Sequence, residues 1–222
     1  MGDAIGQMLA SAVGIAISPV PLIAVILMLA TPRGRSNGTA FTLGWVLALG
    51  AVTTVVVLAG SGIESGAGKP DWSYWVKLAL GVLFVLLAGQ QWQKRPREGK
   101  VVEPPGWMRA IDTFTPAKSA GLAAALVAAN PKNLVLAVGG AVSIATSGAS
   151  GGGKAVAGAL LVVIGSLCTL LPLGVYLVGG SRSAKVLGEW KAWMSAHNSA
   201  IMMVVLLVLG VKYIGDAVSG LA

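Results

Sequence analysis

One cluster of polar residues limits what this chain can fold into. A proline, two amides and a lysine stand together at Asn130-Pro131-Lys132-Asn133, flanked on both sides by runs of Ala, Val, Leu and Gly. If the apolar run crosses a membrane, hydrocarbon can neither hydrogen-bond a freed backbone carbonyl nor solvate an ammonium group. The cluster therefore predicts a broken helix whose polar groups line a cavity inside the protein.

The composition supports a membrane location. The chain has 222 residues, of which 55% are hydrophobic and 11% are charged, whereas soluble domains are roughly 25% charged. Apolar runs long enough to cross a bilayer, about 20 residues each, recur along the chain. They cover residues 5–29, 38–60, 72–92, 120–146, 155–179 and 200–218. We expect an all-α integral membrane protein with six transmembrane helices in a single domain.

A second polar cluster, Ser18-Pro19-Val20-Pro21, interrupts the first run. Each proline removes a backbone donor and clashes with the preceding turn. One alternative is a continuous helix that is only kinked. Two prolines around Val20 favour a real break, so we expect the first and fourth helices to be broken.

The two clusters belong to halves that resemble each other. Residues 17–22 align with residues 129–134 at an offset of 112, and residues 86–89 align with residues 207–210 at an offset of 121. Each half has three helices, an odd number, so the halves insert in opposite senses. The sequence thus predicts a 3+3 inverted repeat, in which paired broken helices build a site near the membrane midplane. The first repeat is residues 1–92, and the second is residues 118–222.

The charges of the loops predict the topology. The loops after the first, third and fifth runs hold two, six and three Lys or Arg residues, and the loops after the second and fourth hold one each. By the positive-inside rule both termini face outward, and the basic loops, including residues 180–199, are cytoplasmic. The longest, residues 93–117, is a basic linker. Its apolar residues Trp107, Met108, Ile111 and Phe114 favour a surface amphipathic helix, with a disordered linker as the alternative. Trp45 fits an interfacial anchor.

The clusters predict a site for an anion. Ser18 and Asn130 are placed to cap half-helices that start at Pro19 and Pro131, and a helix N-terminus attracts negative charge. Lys132 adds a full positive charge. The alternative for Lys132 is snorkelling, or an internal pair with an amide and a carbonyl. The expected substrate-binding residues are Ser18, Pro19, Pro21, Asn130, Pro131, Lys132 and Asn133. In the sixth run, Lys212 and Asp216 are one turn apart and are expected to pair.

Several functional classes find little support. No Asp or Glu lies near the middle of any run, so we expect no site for a divalent cation, which requires oxygen ligands. We see no catalytic constellation, metal-spaced cluster or phosphate loop, and we expect neither an enzyme nor a cofactor. The net charge of +8 is explained by topology, so we expect no nucleic-acid partner.

The ordered set of motifs resembles the LysE superfamily of small membrane exporters, and more closely its GAP family of peptidoglycolipid- or sulfolipid-addressing proteins from actinobacteria. The resemblance covers essentially the whole chain and is carried by residues 16–29, 36–38, 43–46, 75–82, 110–116, 130–134 and 191–193. It implies six helices and a role in moving a large glycolipid of the cell envelope outward. In LysE proteins the first cluster usually reads Ser-Pro-Gly-Pro, whereas Val20 stands here.

The sequence is compatible with three functions. The first is export of an anionic envelope glycolipid from the plasma membrane toward the cell surface. The second is export of a small solute such as an amino acid, and the third is a non-transporting adaptor for envelope-lipid export. The expected partner is the lipid itself, with a homodimer and other envelope-lipid export proteins as further candidates. Glycines such as Gly139, Gly140, Gly174 and Gly179 would permit close helix contacts.

Overall fold

The structure is a computed structural model, and it describes residues 2–61, 71–93 and 110–221. These residues form nine α-helices and two short 3-10 helices, with no strand among them. The α-helices are α1 (Gly2–Ala16), α2 (Pro19–Leu29), α3 (Gly34–Ser61), α4 (Asp71–Gln93), α5 (Pro116–Ala128), α6 (Pro131–Ala145), α7 (Gly151–Gly165), α8 (Leu167–Val178) and α9 (Ser183–Leu221). The 3-10 helices are Ile111–Thr113 and Gly180–Arg182. Most of the predicted linker, including Trp107 and Met108, lies outside the described residues.

The helices fall into long single spans and bent pairs. Three of the described helices, α3, α4 and α9, are long and apolar enough to cross a membrane alone. The pairs α1–α2, α5–α6 and α7–α8 pass the same test as bent units, with bends of 47°, 67° and 58°. The described residues thus offer three clear spans, or up to six if each bent pair is one span. This is consistent with a multi-pass membrane protein.

The first two bends fall where the proline clusters predict them. Ser18 and Asn130 precede helices that have proline at the first position, and both have extended backbones, with φ/ψ of −78°/114° and −82°/113°. Extended geometry is expected for a residue before proline, because the proline ring disfavours the helical region there. The first bend is the smaller of the two, but Val20 does not prevent it.

The third bend was not predicted. It falls at Ser166, between α7 and α8, whereas the proline of that run, Pro172, lies inside α8. The Ser166 carbonyl accepts a hydrogen bond from the Thr169 hydroxyl at 3.0 Å. Sharp kinks commonly occur at adjacent Gly and Ser residues, so the pair Gly165-Ser166 was the available signal in the sequence.

The side chain of Trp45, on α3, contacts the third bend. It is fully buried, and its indole N–H donates a 3.3 Å hydrogen bond to the Gly165 carbonyl. The sequence interpretation of Trp45 as an interfacial anchor is therefore wrong. Helix α3 begins at Gly34 and not at Gly38, which places Trp45 about 16 Å along the helix and away from its end.

The segment expected to be a basic loop, residues 180–199, is mostly helical. After the 3-10 turn, α9 runs without interruption for 39 residues, from Ser183 to Leu221. Its early part buries Leu187 and Met194, and the rings of Trp193 and His197 stack 4.8 Å apart. The charged residues of this segment therefore lie on an amphipathic helix. A cluster of charged residues in the sequence does not by itself distinguish such a helix from a loop.

Close glycine contacts bring the helices together. Helix α4 packs mainly on α9, where a Cβ on Gly81 would lie 2.9 Å from the Gly210 carbonyl oxygen. Helix α3 packs mainly on α5, and α1 packs on α6 and α7. Of the glycines expected at helix contacts, Gly140 faces Leu161 and Ser11, whereas Gly174 has open space beside it.

Candidate binding site at two helix breaks

The two helix breaks meet through three side chains. The Lys132 ammonium donates a 2.7 Å hydrogen bond to Ser18 Oγ. The Ser18 hydroxyl in turn donates to Asn133 Oδ1 at 2.8 Å. A residue from the break before α2 is therefore bonded to two residues from the first turn of α6. We call Ser18, Lys132 and Asn133 the break cluster.

Asn133 also repairs the break in its own run. Its Nδ2 donates a 3.0 Å hydrogen bond to the Leu126 carbonyl, which lies in the last turns of α5. In an unbroken helix that carbonyl would accept from the backbone N–H of Asn130, four residues later. The Asn133 amide thus satisfies a carbonyl that the break would leave unpaired in an apolar environment.

The two expected caps behave differently. The Asn130 side chain accepts a 3.1 Å hydrogen bond from the backbone N–H of Lys132, which makes it the N-cap of α6. Ser18 occupies the equivalent position before α2, but its side chain makes no capping bond. The expectation that Ser18 caps its half-helix is therefore wrong. Its hydroxyl is instead used by Lys132 and Asn133.

The prolines of the predicted site act on the backbone. Pro19 and Pro21 are buried in the first turn of α2, and Pro131 starts α6 with an exposed ring. At these positions proline has no intrahelical donor to lose, and its fixed φ suits the start of a helix. The structure thus places the prolines beside the break cluster, where they set the helix ends and offer no polar group.

The break cluster is closed and positively charged. Ser18, Lys132 and Asn133 are 2%, 4% and 1% exposed. An ammonium has three N–H donors, and Lys132 makes one side-chain hydrogen bond and no ion pair with any described residue. Burying an ammonium beside neutral partners alone is costly. An anion between the helix ends would supply the missing charge and the missing acceptors.

Lys212 and Asp216 lie at another place in the fold. Lys212 Nζ is 2.7 Å from Asp216 Oδ2, and both side chains are partly exposed. They line a cavity of about 440 Å³ together with Tyr74 and Lys77 of α4. The structure does not bring this ion pair into the break cluster.

The chain was also compared with known proteins. No curated protein sequence and no solved structure matches it. One family does match, over residues 8–219, and its description is "Sap, sulfolipid-1-addressing protein". Because the match covers nearly the entire chain, this protein belongs to the SfLAP family of sulfolipid-1-addressing proteins.

Proposed function

We propose that this protein moves an anionic lipid of the cell envelope, such as a sulfated glycolipid, across the membrane toward the cell surface. The observation that carries the proposal is the buried Lys132 ammonium, which is held at a helix break by the neutral hydroxyl of Ser18. The family description adds a sulfolipid and an addressing role, and it names no reaction. A sulfate or phosphate headgroup has the charge and the acceptor oxygens that this ammonium lacks.

The head group would enter by replacing one bond of the break cluster. The Ser18 hydroxyl is the only described side-chain acceptor of the Lys132 ammonium, so an incoming anionic oxygen can take its place. Backbone N–H groups at the start of α6 would add their partial positive charge. The lipid tails would stay in the bilayer, because a chain of 222 residues cannot enclose a large glycolipid.

An inverted repeat would allow the site to open alternately to either face of the membrane. The packing of the helices supports such a repeat. The third spans of the proposed halves, α4 and α9, pack on each other, as do α3 and α7 from the second spans. Helix α1 packs on α7, and its proposed counterpart α5 packs on α3. Alternating access would then consist of a movement of one half against the other around the break cluster.

The proposal is tested by lipid movement in reconstituted vesicles. The probe is a sulfated glycolipid with a fluorescent tail, and its appearance in the outer leaflet is followed by chemical quenching. We expect Lys132→Met and Lys132→Gln to slow the movement at least tenfold, roughly the effect of 1.4 kcal/mol. Lys185→Met, which removes an exposed lysine of α9, is the matched control and is expected to keep the wild-type rate.

Two outcomes would overturn the proposal. If Lys132→Gln, folded as judged by size-exclusion profile and Tm, moves the sulfated lipid at the wild-type rate, the break cluster does not bind the head group. If the wild-type protein moves no lipid while it still supports lipid export in cells, it is an adaptor. A zwitterionic lipid with the same tail reports whether any movement depends on the anionic charge.

A further inference from the structure

A groove between α3 and α7 lies outside the break cluster. It has a volume of about 750 Å³ and is lined mainly by apolar and small side chains. We define the lateral groove by six of its lining residues, which are Gly50, Thr53, Val57, Ser61, Lys154 and Gly158. The nearby side chains of Val55 and Leu58 are more than 60% exposed, so this face of α3 points toward the bilayer.

The groove has the depth of one membrane leaflet. Gly50 and Ser61 are eleven residues apart on α3, which corresponds to ~16 Å along a helix axis. The hydrocarbon core of a bilayer is ~30 Å thick. The lateral groove can therefore hold one acyl chain of one leaflet along its length.

One end of the groove is polar and carries a positive charge. Lys154 Nζ donates to Ser61 Oγ at 3.3 Å and also to the Ala145 carbonyl. These contacts hold the ammonium at the mouth of the groove, where α3 ends and α7 begins. A lipid head group at that depth would meet a cation, and its tail would meet the apolar walls.

A buried hydroxyl in the middle of the groove has no partner among the described residues. Thr53 is 3% exposed, and its Oγ1 makes no hydrogen bond with any of them. Buried polar atoms nearly always have a hydrogen-bond partner. With the head group at Ser61, Thr53 lies ~12 Å deeper along α3, so its hydroxyl lies beside the acyl chain and gains no acceptor from the lipid.

The space in the groove comes from missing side chains. A Cβ on Gly50 or on Gly151 would meet no atom within 4 Å, and a Cβ on Gly158 would meet only Thr53 Cγ2, at 3.6 Å. Larger side chains at these positions would fill the groove without straining the backbone. This property allows the groove to be blocked by a single substitution.

We propose that the lateral groove is a binding site for a bilayer lipid with an anionic head group, which lies at Lys154 and Ser61 while one acyl chain follows α3 past Thr53. The identity of this lipid as the transported one rests on the proposed function. The groove would then hold the lipid beside the protein, after its transfer, in the leaflet on the Lys154 side. By the loop charges, that leaflet is the outer one.

The test uses the full-length protein in detergent with an equimolar mixture of phosphatidylglycerol and phosphatidylcholine. Bound lipid is counted by native mass spectrometry. We expect the wild-type protein to retain phosphatidylglycerol roughly fivefold over phosphatidylcholine, which corresponds to about 1 kcal/mol. Gly50→Leu should lower retention of both lipids about tenfold. Gly89→Leu, at an exposed position of α4 that also has open space, should leave retention unchanged.

Two further variants separate the head group from the tail. Lys154→Gln should remove the preference for phosphatidylglycerol while phosphatidylcholine still binds, and Thr53→Val, which puts a methyl group in place of the hydroxyl beside the acyl chain, should weaken neither lipid. The proposal is overturned if Gly50→Leu retains both lipids like the wild type, or if Lys154→Gln keeps the preference. If Lys132→Gln loses vesicle transport but retains lipid normally, the proposed lipid site in the lateral groove is unaffected. Normal retention with no transport by the wild type would overturn the proposed function alone.

Discussion

Lys132 and Ser18 are 114 residues apart in the chain, yet the Lys132 ammonium donates a 2.7 Å hydrogen bond to the Ser18 hydroxyl. The same hydroxyl donates to Asn133. One small side chain therefore ties the ends of two half-helices together and partly solvates a buried charge. Under the proposed function, this bond is the one that an anionic head group would replace.

Ser18→Ala is expected to destabilise the protein by about 1–3 kcal/mol, because it leaves the buried Lys132 and Asn133 groups without their partner. The change is measured as a lower Tm in detergent. The double variant Ser18→Ala/Lys132→Met should lose less stability than the sum of the losses in the two single variants, because both substitutions remove the same hydrogen bond. Ser36→Ala, at an exposed serine whose hydroxyl donates to the nearby Arg33 carbonyl, is the control. Additive losses would argue against the coupling.

Asn130→Ala is expected to cost about 1 kcal/mol, because it removes the N-cap of α6. Asn130→Ser keeps a side-chain acceptor for the Lys132 backbone N–H and should stay close to the wild type in thermal unfolding. Thr115 is the N-cap of α5, and its side chain accepts a hydrogen bond from the Lys118 N–H. Thr115→Ala is the control, because it measures the cost of losing an N-cap at a helix start outside the break cluster. Equal losses from Asn130→Ala and Asn130→Ser would rule out the capping role.

Trp45→Phe is expected to destabilise the protein by about 1 kcal/mol, because the buried Gly165 carbonyl would lose the indole donor and keep the weaker Cys168 thiol at 3.5 Å. The helix around Gly165 should also become more mobile, which hydrogen exchange of the amides near Ser166 can measure. Trp75→Phe is the control, since Trp75 is 60% exposed on α4. If both variants unfold at the wild-type temperature, the contact between Trp45 and the third bend does not contribute to the stability of the protein.

The loop charges give an expectation for membrane orientation. A cysteine introduced at the exposed Gly148, between α6 and α7, should react with an impermeant maleimide added to intact cells. A cysteine at the exposed Ser36, near the start of α3, should react only after the membrane is opened. The native Cys168 is buried and should give little background. The reverse pattern would place the basic loops outside and contradict the positive-inside rule for this chain.

Features fixed by adjacent residues were predictable from the sequence. The order of amide, proline and lysine at residues 130–132 describes a helix start by itself, because capping and proline geometry act within one turn. The break at Ser18-Pro19 follows the same local rule. Six apolar runs were likewise readable, because a bilayer requires a minimum length of apolar helix.

Features that depend on distant contacts were not predictable. Nothing near Ser18 indicates that its hydroxyl leaves its own helix and binds Asn133, 115 residues away. The burial of Trp45 depends on the bend at Ser166, which in turn has only a weak signal in Gly165-Ser166. The lateral groove arises from glycines on two helices that meet only in the folded protein.

The length of α9 has a mechanical consequence. Its 39 residues extend for ~58 Å, nearly twice the ~30 Å hydrocarbon thickness. If this continuous helix tilts in the membrane, its early part, which packs on α2 and α8, has to move as well. For a rotation of about 5°, the end of an arm ~25 Å long sweeps ~2 Å. A contact made by the exposed side chain of Trp193 would therefore displace the crossing of Gly81 with Gly210.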